Sequence, residues 1–448
     1  MAEKSNGMTS RIAAFITETN TSDIPAEVFE HAKIAFMDWL GVTLAGKDDP
    51  LVLKLIQYSD FLGGKEQATI LGHGLKKSIA QAALINGAAS HALDYDDTDM
   101  YFQGHPTVTL FPALLSLCEF KELSGEALLA AYIVGLKAGK VIGAGAGTEH
   151  YMSGFHCTCT MGCLASASAC SYLLGLDKQQ TQYALGLAGT QAGGLKSVFG
   201  TMCKPFHAGR ASEVGLMSAL LAQNGFTSAE DIIECTNGVY QAMKGIGNEE
   251  MLDTLGKTWD IEGLMQKYHA SCHFTHSPIE AAWSVFENEG LAVGDIKSVK
   301  VYSSEMGLSA AFRIEAHTGL EGKFSIPYCV ANALLRGKGN TGLQAFADDK
   351  VNDPEVQALM SKITTVKADD IVGLAARVEI ETKTGQTYSA IYNVNKEIPE
   401  LEQKKERIRD KFTDLSEPIV GMEKTQKLIE AIYNLRESKE VKSLIEII

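Results

Sequence analysis

From Ser22 to Phe226, apolar residues return at helical spacing in one segment after another. The stretch SDIPAEVFEHAKIAFMDWLGVTLAG opens with Asp23 as a cap and Pro25 in the first turn. KSIAQAALINGAASHALD carries Asp94 at its C-terminal end, and SGEALLAAYIVGLKAGKVIGAG begins with Ser124 as a cap after TLFPALLSLCEFKELSG, the two reading as a helical hairpin. TMGCLASASACSYLLGL, DKQQTQYALGLAGTQAGGL and GRASEVGLMSALLAQNGF continue the series. All are rich in alanine, glycine and serine. Small side chains let helix axes approach closely, so residues 1–265 are predicted to form a compact all-helical domain.

The texture changes near residue 266. IKSVKVYSS and ARVEIETKTGQTYSAIYNV alternate apolar and polar residues, the second with a Thr384-Gly385 turn that predicts a hairpin. SIPYCVANALLRG and DPEVQALMSKI between them read as helices. Residues 266–395 are therefore predicted to be a smaller α+β domain. Residues 396–448 end in the amphipathic MEKTQKLIEAIYNLRESKEVKSLIEII and are expected to return to the helical domain. The predicted class is mainly α, and no internal repeat is visible.

A net charge of −15 argues against nucleic acid or an anionic membrane as partner. Nine scattered cysteines without a C-x-x-C pair suit free thiols in a reducing compartment. The start, MAEKSNGMTS, has no apolar signal core, and no run of about 18 apolar residues suggests a membrane span. The expected location is the cytosol.

HALDYDDTDMYFQGHP, residues His91 to Pro106, holds four aspartates with a histidine near each end. It reads as a metal site, a proton-transfer site or a solvated turn. Against metal, an acid is missing at Met100 for a D-D-x-x-D pattern, and Ala92 follows His91 where a His-Asp pair would need an acid. The glycine and closing glutamate of a calcium loop are missing too. The turn reading holds for at least two of the four aspartates. Basic residues gather elsewhere: His156 in SGFHCTCTMGC, Lys204, His207 and Arg210 in MCKPFHAGRAS, and Lys267, His269, Cys272, His273 and His276 in QKYHASCHFTHSP. Cys157, Cys159 and Cys163 read as buried small hydrophobes. Cys272, His273 and His276 have spacings zinc uses, but no second matched pair stands nearby. GAGAGT follows a helix, and GLKAGK lacks the hydroxyl residue of a phosphate loop.

If the fold joins these basic stretches, the result would attract a small polyanion. Removing a proton next to a carboxylate leaves an enolate-like dianion. Such a step needs a base tuned near neutrality and cations to hold the growing charge. Histidine and lysine suit both tasks, and a carboxylate such as Asp94 can orient a histidine.

At these stretches the chain resembles the 2-methylcitrate dehydratase (PrpD/MmgE) family, which includes cis-aconitate decarboxylase and iminodisuccinate epimerase. The match runs in order through FMDWLGVTLAG, INGAASHALDYDDTD, GHPTVTLFPALL, GFHCTCTMG, CKPFHAGRASEVGLMSALLAQNGF, KYHASCHFTHSPIEAA and KFSIPYCVANALL. The resemblance implies a large helical domain and an α+β lid with the active site in the cleft between them, a homodimer, a small polycarboxylate substrate and no cofactor or metal. It places site residues at Asp94, Thr98, His105, His156, Lys204, Lys267 and Tyr328, with one extra residue between Thr98 and His105 relative to the decarboxylase. His105, His156, Lys204 and Tyr328 would act in catalysis; Asp94, Thr98, Lys267 and Cys272 would bind substrate. Cys272 stands where the decarboxylase has a histidine, which speaks against itaconate formation. The CHFTH arrangement also departs from 2-methylcitrate dehydratases. The leading expectation is a cofactor-independent hydro-lyase on a di- or tricarboxylate. An epimerase is the alternative and a decarboxylase less favoured; a scaffold without chemistry is a third reading, against which the intact Asp, His, Lys and Tyr positions stand.

Overall fold

The computed structural model describes residues 7–448. The chain divides into two compact units. One takes the residues up to Gln266 together with Leu401–Ile448, and the other is Lys267–Glu400.

The first unit is helical. Its elements are α1 (Met8–Glu18), α2 (Ala26–Gly46), α3 (Pro50–Leu62), a short hairpin of β1 (Ala68–Ile70) and β2 (Leu75–Lys77), then α4 (Ile79–His91), α5 (Thr107–Lys121), α6 (Gly125–Met152), α7 (Cys157–Leu174), α8 (Lys178–Gly189) and α9 (Cys203–Gln223). Side-chain caps start many of them. Ser124 accepts from the Ala127 amide, while Ser78 with Gln81 and Asp177 with Gln180 form reciprocal capping boxes. Asp23 does not cap α2; it accepts from the Asn20 amide at 2.9 Å in the turn before, and Pro25 takes the cap position. Gly175 ends α7 in the left-handed conformation, and Gly147 kinks α6.

Packing follows the small-residue texture. A β-carbon on Gly87 of α4 would lie 2.6 Å from the Gly209 Cα of α9, and one on Gly209 would lie 2.0 Å from the Leu84 carbonyl oxygen. The two backbones touch because neither residue has a side chain. Beside them Phe36, Trp39, Phe111 and Tyr132 form an aromatic cluster, with Phe111 and Tyr132 stacked at 4.0 Å. Helices α6 and α7 are long and apolar enough to cross a membrane by composition alone, contrary to the reading from sequence. Their most apolar windows are 89% and 83% buried within the protein, and that is where their hydrophobicity is spent. None of the nine cysteines is joined in a disulfide among the described residues.

The second unit holds a four-stranded sheet in the order β4-β3-β5-β6. β3 (Ile296–Ser303) pairs parallel with β4 (Ile363–Lys367) and antiparallel with β5 (Ala376–Thr382). β5 returns through Gly385, at φ 84°, into β6 (Thr387–Tyr392). Ala376, Val378 and Ile380 bury one face of β5, against which the helix His276–Asn288 packs. The strands β1, β2 and β4 had no counterpart in the sequence reading.

Candidate active site

Helix α4 ends at His91, and the chain turns at once. Asp94 takes a left-handed φ of 52°, a conformation that costs a non-glycine residue energy and marks the turn as one the surroundings enforce. The loop then pairs Thr98 with Met265 through two backbone hydrogen bonds of 2.9 and 3.0 Å. Asp99 pairs with Gly104 before α5 begins.

None of the four aspartates in this loop is solvated, which corrects the turn reading. Each has its own reason to be inside. Asp99 accepts from the amides of Tyr101 and Phe102 at 2.9 and 2.8 Å and meets the buried Lys140 ammonium at 2.7 Å. Asp97 accepts from the Thr107 hydroxyl, which also contacts Tyr132 at 2.8 Å. Burial pushes Asp97 well above the usual carboxylate range. Asp94 binds the Lys204 ammonium at 2.7 Å.

Asp96 lies between two imidazoles. Its Oδ1 is 2.8 Å from His91 Nδ1, and its Oδ2 is 2.8 Å from His105 Nδ1. Burial alone would raise this carboxyl, but His91 and His105 hold it well below the usual range. The far nitrogen of His105, Nε2, lies 3.8 Å from Asp94 Oδ1. One line of groups thus runs His91–Asp96–His105–Asp94–Lys204.

Two further imidazoles join it. His156 caps the start of α7, where its amide donates to the Gly194 carbonyl at 3.0 Å. Its Nδ1 is 3.0 Å from Nδ1 of His207, one turn beyond Lys204 on α9. Gly194, at φ 105°, leaves room for this pair, since a β-carbon there would press within 3.2 Å of the His207 ring. His156 stacks 6.1 Å from His91, and Phe199 packs edge-on against His156 and under the Lys204 ammonium. Burial first, then the Lys204 charge, pushes His156 well below its ordinary value, so it is a neutral imidazole. His207 is lowered too, by burial and by His91. Arg210 points away into an ion pair with Glu213.

Donor atoms of His91, Asp94, Asp96 and His105 all fall within 4.8 Å of one another, a spacing a divalent cation uses. They are already engaged, however: Asp96 by two ring nitrogens and Asp94 by an ammonium. The set reads as a proton and charge network, and no metal ligand is assigned.

Of the residues named from sequence, Asp94, His105, His156 and Lys204 come together in the first unit. Thr98 lies on the same loop, held by its backbone. His91, Asp96, His207 and Phe199 complete the cluster and were not singled out as site residues. His91 and His207 stood inside the quoted motifs, but nothing in their spacing showed which imidazole faces which carboxylate. Lys267, Cys272 and Tyr328 belong to the second unit. Lys267 is buried there. The Cys272 amide donates to the Lys323 carbonyl at 2.9 Å. His269, His273 and His276 pack ring to ring, and burial, then His273, His269 and Lys267, holds His276 well below its ordinary value. Tyr328 is fully buried, and its hydroxyl donates to the Ala345 carbonyl. Burial and the neighbouring Cys329 raise this phenol further.

The fold class, the imidazole cluster and the loop motif converge on one group of proteins. Residues 10–251 match the MmgE/PrpD N-terminal domain and residues 269–437 the MmgE/PrpD C-terminal domain. The chain belongs to the MmgE/PrpD family. It is 27% identical to a cis-aconitate decarboxylase of Aspergillus terreus over 99% of this chain and 96% of that protein. Identity is 26% with the cis-aconitate decarboxylase-like protein oryM of Aspergillus oryzae, over 98% and 97% of the two chains. It is 24% with the cis-aconitate decarboxylase of Homo sapiens, over 97% and 92%.

Proposed function

We propose that this protein is a lyase that acts on a small di- or tricarboxylate by proton transfer at a carbon next to a carboxylate, without a cofactor. The observation that carries the reading is the buried gathering of a neutral imidazole, His156, with a carboxylate-flanked imidazole, His105, and the ammonium of Lys204. His156 is the base, because a neutral buried imidazole has a free lone pair at neutral pH. His105, set between Asp96 and Asp94, suits the acid, since carboxylates on both sides favour an imidazolium. Lys204 is shared between Asp94 and the substrate and steadies the enolate-like charge as it grows. Asp94 and Thr98 line the substrate. Lys267 and Cys272 are carried as substrate-binding residues, each tested by its own variant. Tyr328 is carried as an acid or hydrogen-bond donor, tested by Tyr328→Phe.

Dehydration in the manner of 2-methylcitrate dehydratase is the finer reading. Its support is that, by the resemblance, Cys272 stands where the decarboxylase has a histidine, which speaks against itaconate formation. Decarboxylation is the second reading, supported by relatives that match over nearly their whole length and carry that name. Epimerisation needs the same base and acid without a leaving group. One experiment separates them: incubate the protein in D2O with citrate, 2-methylcitrate, cis-aconitate and iminodisuccinate, and follow products by NMR. An alkene without CO2 supports dehydration, CO2 release supports decarboxylation, and deuterium wash-in without an alkene supports epimerisation. Silence across the panel, with no ligand-induced rise in melting temperature, would overturn the proposal. We also propose a homodimer in the cytosol. Nine cysteines with no disulfide among the described residues support a reducing compartment, and a sedimentation species at twice the chain mass tests the dimer.

A further inference from the structure

His91 and His207 are the imidazoles of the cluster to which the reaction above gives no task, and His91 is the one that touches Asp96. It is the last residue of α4, 1% exposed, and fixed by its Nδ1 contacts to Asp96 at 2.8 and 3.0 Å. Its ring stands 4.4 Å from that of His105. Its other nitrogen, Nε2, is buried with no hydrogen-bond partner among the described residues. A buried polar atom left unmatched carries a cost, so a residue kept only for packing would be better served by an apolar ring.

A carboxylate only accepts hydrogen bonds. The Nδ1 of His91, hydrogen-bonded to Asp96, therefore carries its hydrogen, and the Nδ1 of His105 meets the same carboxylate as an ion pair at 2.8 Å. Both imidazoles draw on one carboxylate. What His91 takes from Asp96, His105 does not have.

We propose that His91 is a positioning residue that sets, through Asp96, how tightly His105 holds its proton. The inference rests on the reading of His105 as the acid of the proposed reaction. The groups facing His105 are Asp96 and His91 from the α4 end and the loop, Asp94 from the same loop, His156 at the start of α7, and Lys204 of α9 through Asp94. Those facing His91 are Asp96, His105 and His156, with His207 behind His156. Removing the His91 N–H leaves the whole Asp96 charge to His105. The imidazolium is then held more strongly, and the proton leaves at higher pH. Loss of a charge on His91 would act in the same direction.

Two polar substitutions test this. In His91→Asn the side-chain amide falls near the old Nδ1 and keeps the hydrogen bond to Asp96. In His91→Gln the amide falls near the old Nε2 and loses it. The His105 titration is followed by NMR on protein with 13C-labelled histidine, and the alkaline limb of the kcat/KM profile is measured in parallel. The expected result for His91→Gln is an upward shift of both by about one pH unit, the scale of one hydrogen bond to a charged group. His91→Asn should stay within about 0.3 unit of the parent, a shift of only a few tenths of a kcal/mol. Equal titrations of His105 in the parent and both variants, or equal shifts in both variants, would overturn the proposal. If the NMR titration moves and the alkaline limb does not, the coupling stands and His105 is not the acid. If His91→Gln fails to fold, His91→Phe, which also lacks the hydrogen bond to Asp96, takes its place and must show the same upward shift.

Discussion

Asp96 and Asp97 are neighbours in sequence and equally buried, yet their carboxyls are pushed in opposite directions. Asp96 has imidazoles on two sides, which hold its carboxyl well below the usual range; Asp97 meets the hydroxyl and backbone amide of Thr107, and burial pushes its carboxyl well above. The consequences for stability have opposite signs. A carboxyl held below its ordinary value of 3.8 contributes stability that is present above that pH and lost as pH falls through the lower value in the fold. A carboxyl raised above it contributes stability that is present below pH 3.8 and lost as pH rises through the raised value. Asp97→Asn should therefore gain on the parent as pH rises from 4 to 8 in urea unfolding. A variant that loses ground over that span would contradict the assignment. Asp96→Asn should instead cost about 3–5 kcal/mol at pH 7, the price of breaking a buried pair, and show most of that loss above pH 4. Such opposed roles were illegible in DYDDT, because the partners of its aspartates come from the end of α4, from α9, and from His105 and Thr107 at the start of α5.

At the scale of elements, the site depends on how closely α4 and α9 approach. Lys204 sits in the first turn of α9 and reaches Asp94, just beyond the end of α4. A β-carbon on Gly209 would meet the Leu84 carbonyl at 2.0 Å, so Gly209→Ala must push the helices apart. The expected cost is about 1–3 kcal/mol, with a fall in turnover as Lys204 shifts from Asp94. Gly294→Ala, where nothing lies within 4 Å, is the control and should stay within about 0.5 kcal/mol. A Gly209→Ala protein as stable and active as the control would show that the contact does not set the site. The close approach was readable in the alanine, glycine and serine texture of the helices, as were β3 and the β5–β6 hairpin from their alternation. β1 and β2, three residues each, are too short for a period to show. β4 is a strand because it finds β3 some sixty residues earlier in the chain, which no local pattern records. Asp23 failed as a cap because Pro25 already fixes the entry to α2 and the carboxylate found Asn20 instead.

At the scale of the molecule, the ends of the chain matter more than its middle for the helical unit. The helix Leu401–Val420 packs on α2, with Ile408 and Phe412 fully buried. Lys411 pairs with Asp38 at 2.6 Å, and Lys404 donates to the carbonyls of Glu262 and Leu264. Burial pushes Lys404 down to about 8. The family's C-terminal domain runs to residue 437, but its last part is built into the helical unit. A chain ending at Glu400 should not fold, since each bared Ile or Phe forfeits about 1.5–3 kcal/mol and Asp38 loses its cation. A chain with residues 267–400 replaced by a flexible linker should unfold in one cooperative helical transition. The reverse outcome, a folded truncation and an unfolded excision, would contradict the division. The central claim remains chemical, and turnover of His156→Ala on whichever polycarboxylate the parent consumes tests it most directly. The account predicts a loss in kcat of at least about a hundredfold with the melting temperature kept; near-full turnover in that variant would contradict it.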